Sequence, residues 1–269
     1  MSQVMFMRRA LQGCALAFAA STLVASASFA APYIVGALGD SMTRGFDSGA
    51  VLDQPEHSWS TGYDGIVRSH SARLTQMFGD VISYNVAVSG AKSWALPYQT
   101  VALLARARPD YVTILIGAND LCAWPDDDTT GRGKLENGVR RSVEMLVAAN
   151  PAVKILVVPV PDMLQLREVG AANGCQLRWN ITRFCPRLLG RSVTTQDLGS
   201  FASRLSDANE SLADVAAAFP ANVRFAADVA RSVFSFDDVS KIDCFHPSVT
   251  GQDYLAEVTW RAGWFGDRN

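Results

Sequence analysis

Apolar, β-branched runs recur along the chain at Tyr33–Leu38, Val81–Val88, Val112–Ile116 and Lys154–Val160, with a weaker fifth at Val223–Ala226. A strand exposed on one side alternates apolar and polar residues. These runs are apolar at consecutive positions, so both faces of the sheet they form must be covered. Segments with helical spacing lie between them, at Gly65–Phe78, Leu96–Arg108, Leu135–Ala149, Asp197–Phe219 and Thr250–Trp264. Asn150-Pro151 and Phe219-Pro220 supply two of the helix stops. A helix between successive strands leads to parallel pairing through right-handed crossovers. The predicted fold class is therefore α/β, a doubly wound, mostly parallel five-stranded sheet with helices on both sides. Met163–Gln196 has little periodicity and is read as a long surface excursion; no repeat or linker divides the chain.

The first thirty residues stand apart. Arg8-Arg9 precede an almost uncharged stretch from Ala10 to Ala30, and Ser28-Phe29-Ala30 comes just before Ala31-Pro32. A positive start, an apolar middle and a small-x-small exit describe a secretory signal peptide over residues 1–30. A membrane anchor is the rival, since the apolar run approaches spanning length; its Ala and Ser content and the cleavage pattern favour removal. Cys14 precedes most of the apolar run, which argues against a lipoprotein box, and the twin arginines are a faint Tat signal. One domain over 31–269, secreted or periplasmic, is the expectation.

Removal takes two of the 24 Lys+Arg and none of the 26 Asp+Glu, leaving 22 against 26 and a formal charge of −4. That balance argues against a nucleic-acid partner. With 49% hydrophobic and 19% charged residues, disorder is excluded. Four cysteines remain: Cys122, Cys175, Cys185 and Cys244. An even number in an exported chain suggests two disulfides with three open connectivities. Cys175 with Cys185 is the favoured pair because they bracket one short polar loop, leaving Cys122 with Cys244; free buried thiols are the alternative.

Ligands of open α/β sheets bind beyond the carboxyl ends of the strands. Four local patterns stand at or near such places: Gly39-Asp40-Ser41-Met42-Thr43, Val88-Ser89-Gly90, Gly117-Ala118-Asn119-Asp120, and Asp243-Cys244-Phe245-His246-Pro247 before the last helix. A serine hydroxyl needs a base to become a nucleophile. The candidates are His57, in a polar loop, His70, in a helical pattern that suits packing or surface, and His246. Asp243 precedes His246 by three residues, so one turn can bring the carboxylate to the imidazole and fix its tautomer. A capping Asp beside a core histidine is the commoner reading of Asp-x-x-His taken alone. A tetrahedral oxyanion needs donors, and the N–H groups of Ser41 and Gly90 with the Asn119 side chain would supply three. Each has a plainer reading: Gly90 as a turn, Asn119-Asp120 as a cap.

Taken together, these blocks resemble the SGNH, or GDSL, hydrolase family, whose four name-giving residues fall on Ser41, Gly90, Asn119 and His246. The resemblance runs from Gly39 to Pro247, in family order. It implies a flavodoxin-like three-layer α/β/α sandwich, with Ser41 as nucleophile, His246 as general base and acid, and Asp243 behind it. It also implies an oxyanion hole of Ser41, Gly90 and Asn119, ester hydrolysis through an acyl-enzyme, and no cofactor. Ser58-Trp59-Ser60-Thr61-Gly62, Ile116–Cys122 and Asp243–His246, with the cysteine-containing excursion, are similar to the phospholipase B-like branch. That branch implies a phospholipid or lysophospholipid acyl ester as substrate. A carbohydrate O-acetyl ester is the alternative substrate, and a non-catalytic lipid- or glycan-binding module the alternative class. Trp59, Trp94 and Trp124 are candidates to line an acyl channel, with packing the commoner role for such residues.

Other sites are less well supported. There is no Gly-x-Ser-x-Gly elbow, Walker loop, dinucleotide fingerprint or zinc spacing. Asp126-Asp127-Asp128-Thr129-Thr130-Gly131 is similar to the start of a calcium loop, but Asn137 stands where the bidentate Glu belongs, so a solvated acidic loop is expected and no metal. Asn180 and Asn209 are glycosylation acceptors only in a glycosylating host. The expected partner is a small-molecule or lipid ester, met by a monomer.

Overall fold

The computed structural model describes residues 31–123 and 132–266. The chain alternates strand and helix: β1 (Tyr33–Gly39), α1 (His70–Phe78), β2 (Val81–Asn85), α2 (Leu96–Leu104), β3 (Tyr111–Leu115), α3 (Ala118–Cys122), α4 (Arg132–Ala149) and β4 (Lys154–Val158). It continues through α5 (Met163–Ala172), α6 (Gln176–Thr182), α7 (Pro186–Leu189), α8 (Thr195–Ala218), β5 (Val223–Phe225) and α9 (Val249–Ala262). All strands pair in parallel, in the order β2-β1-β3-β4-β5.

Pleating sorts the strand residues to two faces. Val112 and Ile114 of β3, with Ile155 and Val157 of β4, pack with Leu103, Val139, Val143 and Leu212 from α2, α4 and α8. Tyr111, Leu115, Leu156 and Val158 pack on the other side with Leu74, Leu255 and Trp260 from α1 and α9. The expected α/β/α sandwich results, because a strand apolar on both faces needs a helix layer on each.

Local chemistry ends the elements. Ser69 caps α1 by accepting from the Ala72 N–H at 3.0 Å, so that helix starts at His70 rather than Gly65. β2 stops at Asn85, short of Val88, because the Asn85 side chain turns to the Thr43 carbonyl and the Thr61 hydroxyl, both at 2.9 Å. Ser248 caps α9 through the Gly251 N–H at 3.1 Å, which starts that helix at Val249, three residues after His246.

Two expectations need correction. The excursion after Met163 is helical: α5, α6 and α7 bury Trp179, Leu188 and Leu189 in the larger core. The disulfides join Cys122 to Cys185 and Cys175 to Cys244, not Cys175 to Cys185 and Cys122 to Cys244. The reason is geometric. Cys175 and Cys185 flank α6 at its two ends, and a helix of 7 residues is about 10 Å long, beyond the roughly 7 Å Cα separation that a disulfide can bridge. Residues 1–30, the acidic run Asp126–Asp128 and Trp124 lie outside the described residues. Among the described residues no helix is long and apolar enough to cross a membrane.

Candidate active site

In a sheet ordered 2-1-3-4-5 the connections diverge between β1 and β3, opening a crevice beyond their carboxyl ends. Ser41 follows β1 and Asn119 follows β3, so the two residues stand on opposite sides of that crevice. The turn that presents Ser41 needs Gly39. Its φ is +150°, and a Cβ there would come within 2.3 Å of the Leu115 carbonyl. The Asp40 carbonyl then accepts from the N–H groups of Thr43 and Arg44, both at 3.1 Å, closing a tight turn around the serine.

His246 arrives from the far end of the chain. Its Nε2 is 2.8 Å from Ser41 Oγ, and its Nδ1 is 2.5 Å from Asp243 Oδ2. Asp243 Oδ1 accepts the N–H groups of Phe245 at 2.8 Å and His246 at 3.1 Å. Burial alone would raise the Asp243 carboxyl. The hydrogen bond and charge of His246 and the two backbone donors outweigh burial and hold it below the usual carboxylate value. All three side chains are nearly sealed, with Ser41 7% exposed. An ionised carboxylate behind an imidazole whose other nitrogen faces a hydroxyl is an arrangement that can take up that hydroxyl's proton.

Three phenylalanines pack on the imidazole. Phe46, Phe245 and Phe184 have ring centroids 4.9, 5.0 and 5.4 Å from it. All three line the cleft that holds Ser41 and His246, and apolar rings against the imidazole lower the local dielectric and strengthen its charge interactions. Sequence reading did not single out Phe46 or Phe184, which lie outside every motif. Phe184 adjoins Cys185, whose disulfide to Cys122 carries it to the site.

Gly90 and Asn119 line one cleft with Ser41 and His246. Gly90 is exposed, with φ +80° and open space where a Cβ would stand, so a ligand can approach its backbone closely. The Asn119 amide donates to the Ala91 carbonyl at 3.1 Å, with Asp40 Oδ2 at 3.5 Å. Asp120 accepts from the Ser93 hydroxyl at 2.6 Å and the Ser93 N–H at 3.0 Å, which ties the Gly90 loop to α3. Asp40 is fully buried; burial, opposed by the Met42 N–H and His246, pushes its pKa up to about 7.

The other histidines are elsewhere. His70 is buried between Tyr111 Oη and Thr259 Oγ1, both at 2.8 Å. His57 lies between Ser48 Oγ and Asp64 Oδ2, both at 2.9 Å, and braces its own loop. Trp59 is wholly buried against His70, the packing role rather than a place in an acyl channel. Trp94 is half exposed and lines a second cavity that also includes Gly90.

A further pocket opens beside Ser41 and His246, lined by Val160, Met163, Leu166, Phe234, Val239 and Pro247. It is overwhelmingly apolar, and much of it is built by α5 and the residues just before it.

The chain matches the model of the GDSL-like lipase/acylhydrolase family over residues 37–254. It is 28% identical over 212 residues to mouse (Mus musculus) membrane-associated phospholipase B1, covering 65% of this chain and 14% of that protein. The crystal structure of TesA superposes with a TM-score of 0.57 at 17% identity, covering 85% of this chain and 97% of that one. A Geobacillus stearothermophilus acetylxylan esterase (a catalytic mutant) does so with a TM-score of 0.53 at 17% identity, covering 86% and 93%. At that identity the structural likeness concerns the fold.

Proposed function

The chain belongs to the GDSL-like lipase/acylhydrolase family and is an ester hydrolase, and from that premise we propose that it cleaves fatty acyl esters, of phospholipids or lysophospholipids, through an acyl-enzyme on Ser41. One observation carries the reading: the unbroken line from Ser41 Oγ through His246 to Asp243, at 2.8 and 2.5 Å. His246 takes the Ser41 proton as Oγ attacks the ester carbonyl, and Asp243 stabilises the imidazolium that forms. The Ser41 and Gly90 N–H groups and the Asn119 amide hold the oxyanion. Collapse of the intermediate passes the proton from His246 to the leaving alcohol. Water, activated by the same imidazole, then releases the fatty acid.

The apolar pocket beside Ser41 supports a fatty acyl group over acetyl, since burial of each CH₂ there is worth about 0.8 kcal/mol. The phospholipid head group rests on likeness to phospholipase B1, of whose length this chain matches only 14%. Two disulfides support an exported protein, since such bonds persist in oxidising compartments.

A substrate panel of short- and long-chain esters, lysophospholipid and acetylated sugar tests the reading, with Ser41→Ala as control. Fatty acid release from lysophospholipid, lost by about 10⁶-fold in Ser41→Ala, is expected. Cleavage of acetylated sugar with no lipid hydrolysis would replace it with an O-acetyl esterase. Unchanged fluorophosphonate labelling of Ser41→Ala would remove Ser41 as nucleophile.

A further inference from the structure

Large apolar side chains left exposed side by side mark a contact surface, because folding otherwise buries them. Here they gather at the mouth of the Ser41 cleft. Val88 stands two residues before Gly90 and lines, with Trp94 and Tyr98, the cavity that opens beside Gly90. All three are exposed, Tyr98 by 71%. The Trp94 and Tyr98 rings meet edge to face at 6.3 Å and belong to the core on neither side of the sheet. α6 presents Leu177 and Ile181 one turn apart, both exposed, and Phe184, packed on the imidazole, follows two residues after its end. Leu52 is exposed beside Asp53, which accepts from the Ser89 hydroxyl next to Gly90. Its φ is 73°, a left-handed conformation that Asn or Gly adopts more cheaply, so an apolar tip is kept there against backbone preference.

The segments that carry these side chains are unlike the rest of the chain in charge. Residues 81–109 hold Lys92, Arg106 and Arg108 and no Asp or Glu; residues 169–196 hold Arg178, Arg183, Arg187 and Arg191 and again no acid. Residues 31–269 as a whole have 22 Lys+Arg against 26 Asp+Glu, so positive charge is concentrated where the apolar side chains are exposed. Arg183 is exposed two residues from Ile181, and the exposed Lys134 and Arg141 of α4 share a second cavity with Trp94. The acid at the Leu52 tip, Asp53, is paired with Arg44 at 3.0 Å. Exposed Trp and Tyr flanked by Lys and Arg suit a lipid interface: amphipathic rings sit at head-group depth and cations meet anionic head groups. A protein partner would need matching acidic and apolar relief, whereas a lipid surface conforms to whatever the collar presents. The apolar pocket beside Ser41 supplies the reason for such seating, since an acyl chain leaving the lipid face enters it with little exposure to water.

We propose that the collar of Leu52, Val88, Trp94, Tyr98, Leu177 and Ile181 seats the mouth of the cleft on an anionic lipid surface. The inference deepens the fatty acyl ester reading and rests on it for its purpose. Apolar side chains supply the insertion, and the two acid-free segments select negatively charged head groups. The collar takes no part in the chemistry at Ser41, so a small ester dissolved in water is cleaved without it.

The test measures co-sedimentation with vesicles of ether-linked phosphatidylglycerol and phosphatidylcholine in equal parts, and of ether-linked phosphatidylcholine alone. Ether lipids have no acyl ester, so binding is read without hydrolysis. Wild type is compared with a Leu52→Asn, Tyr98→Ser, Ile181→Ser triple variant that has the same N-terminus. Wild type should bind the anionic vesicles, less so as salt is added. The triple variant should bind them about tenfold or more weakly, having lost three apolar contacts, and cleave soluble p-nitrophenyl butyrate at the wild-type rate. Equal binding by wild type and variant overturns the proposal, as does equal binding to the two kinds of vesicle. Absence of vesicle binding with a wild-type dimer that the variant abolishes also overturns it, in favour of a second copy as occupant. If the triple variant does not fold, Tyr98→Ser and Ile181→Ser, each tested alone, decide by the same comparison. The outcome is separate from that of the parent reading: a protein that cleaves lysophospholipid yet ignores anionic vesicles sinks this inference alone. One that binds the vesicles through the collar yet cleaves only acetylated sugar sinks the parent reading alone.

Discussion

The indole N–H of Trp179 donates to the backbone carbonyl of Cys244 at 2.9 Å, and Cys175, four residues before it, is disulfide-bonded to that same Cys244. Cys244 itself has φ 60°, in the left-handed region, between Asp243 and Phe245. The segment from α5 to α7 thus braces the loop that presents Asp243 and His246, while Cys185 bonds to Cys122 at the end of α3, three residues beyond Asn119. Both disulfides run from this one segment to the two sides of the site.

Removing the first brace should therefore cost both stability and rate. Cys175→Ser with Cys244→Ser frees a loop with a sequence separation of 69, worth about 4 kcal/mol in the unfolded chain. Because Cys244 adjoins Asp243, kcat should fall while KM changes little. Urea unfolding and steady-state kinetics of the double variant check this. Wild-type kcat in a folded variant would show that Trp179 alone holds the loop.

Asn119 makes a sharper case. Its amide is placed by the Ala91 carbonyl at 3.1 Å, so the side chain is preorganised before any substrate arrives. Asn119→Ala should lower kcat by roughly 10²–10³-fold with KM little changed, as loss of one oxyanion donor does. Asn119→Asp should be slower still, because it sets a carboxylate near Asp40 and the developing oxyanion. Equal rates for wild type and Asn119→Ala on a p-nitrophenyl ester would take Asn119 out of the oxyanion hole.

How much of this was legible depended on spacing. The strands were, because Val112–Ile116 and its counterparts are apolar on both faces and nothing else fits such runs. Ser41, Gly90 and Asn119 were, because each lies in a short pattern soon after a strand, and Asp243 and His246 were, because they stand three residues apart just before the last helix. The helices at Met163–Leu189 were not: they run 10, 7 and 4 residues, too short for a period, and they form by packing Trp179, Leu188 and Leu189 into the core. The disulfide pairing was not either, since nearness in sequence is a poor guide once a helix separates two cysteines.

The pocket beside Ser41 allows chain length to be set by one residue. Leu166 is partly buried on α5 and lines the pocket with Val160 and Phe234. Leu166→Trp fills that space without disturbing the sheet. Its kcat/KM on long-chain esters should fall by about tenfold or more while acetyl and butyryl esters are cleaved at near wild-type rates, since pocket contacts discriminate by roughly 1–3 kcal/mol per methylene. A uniform loss across chain lengths would mean that the acyl group lies elsewhere.

Stability should respond to pH through two buried groups that pull in opposite directions. Burial, then the Arg73 charge, lowers His70 from 6.5 to about 3. Its folded pKa lies below the unfolded one, so the unfolded chain binds the extra proton. The stability it confers is full above about pH 6.5 and is lost as pH falls towards 3. Asp40 goes the other way, raised by burial from 3.8 to about 7. The folded state keeps its proton, so the stability it confers is full below about pH 4 and is lost as pH rises through 7. Each swing is worth up to about 4–5 kcal/mol, and between about pH 4 and 6.5 the two oppose each other. Asp40→Asn leaves His70 unopposed, and its urea midpoint should rise steadily with pH across that window. His70→Gln leaves Asp40 unopposed and should show the midpoint falling instead. Parallel pH profiles for wild type and Asp40→Asn would mean that the Asp40 carboxyl is ionised in the folded protein throughout, held by Asn119 and the Met42 N–H rather than neutralised by burial.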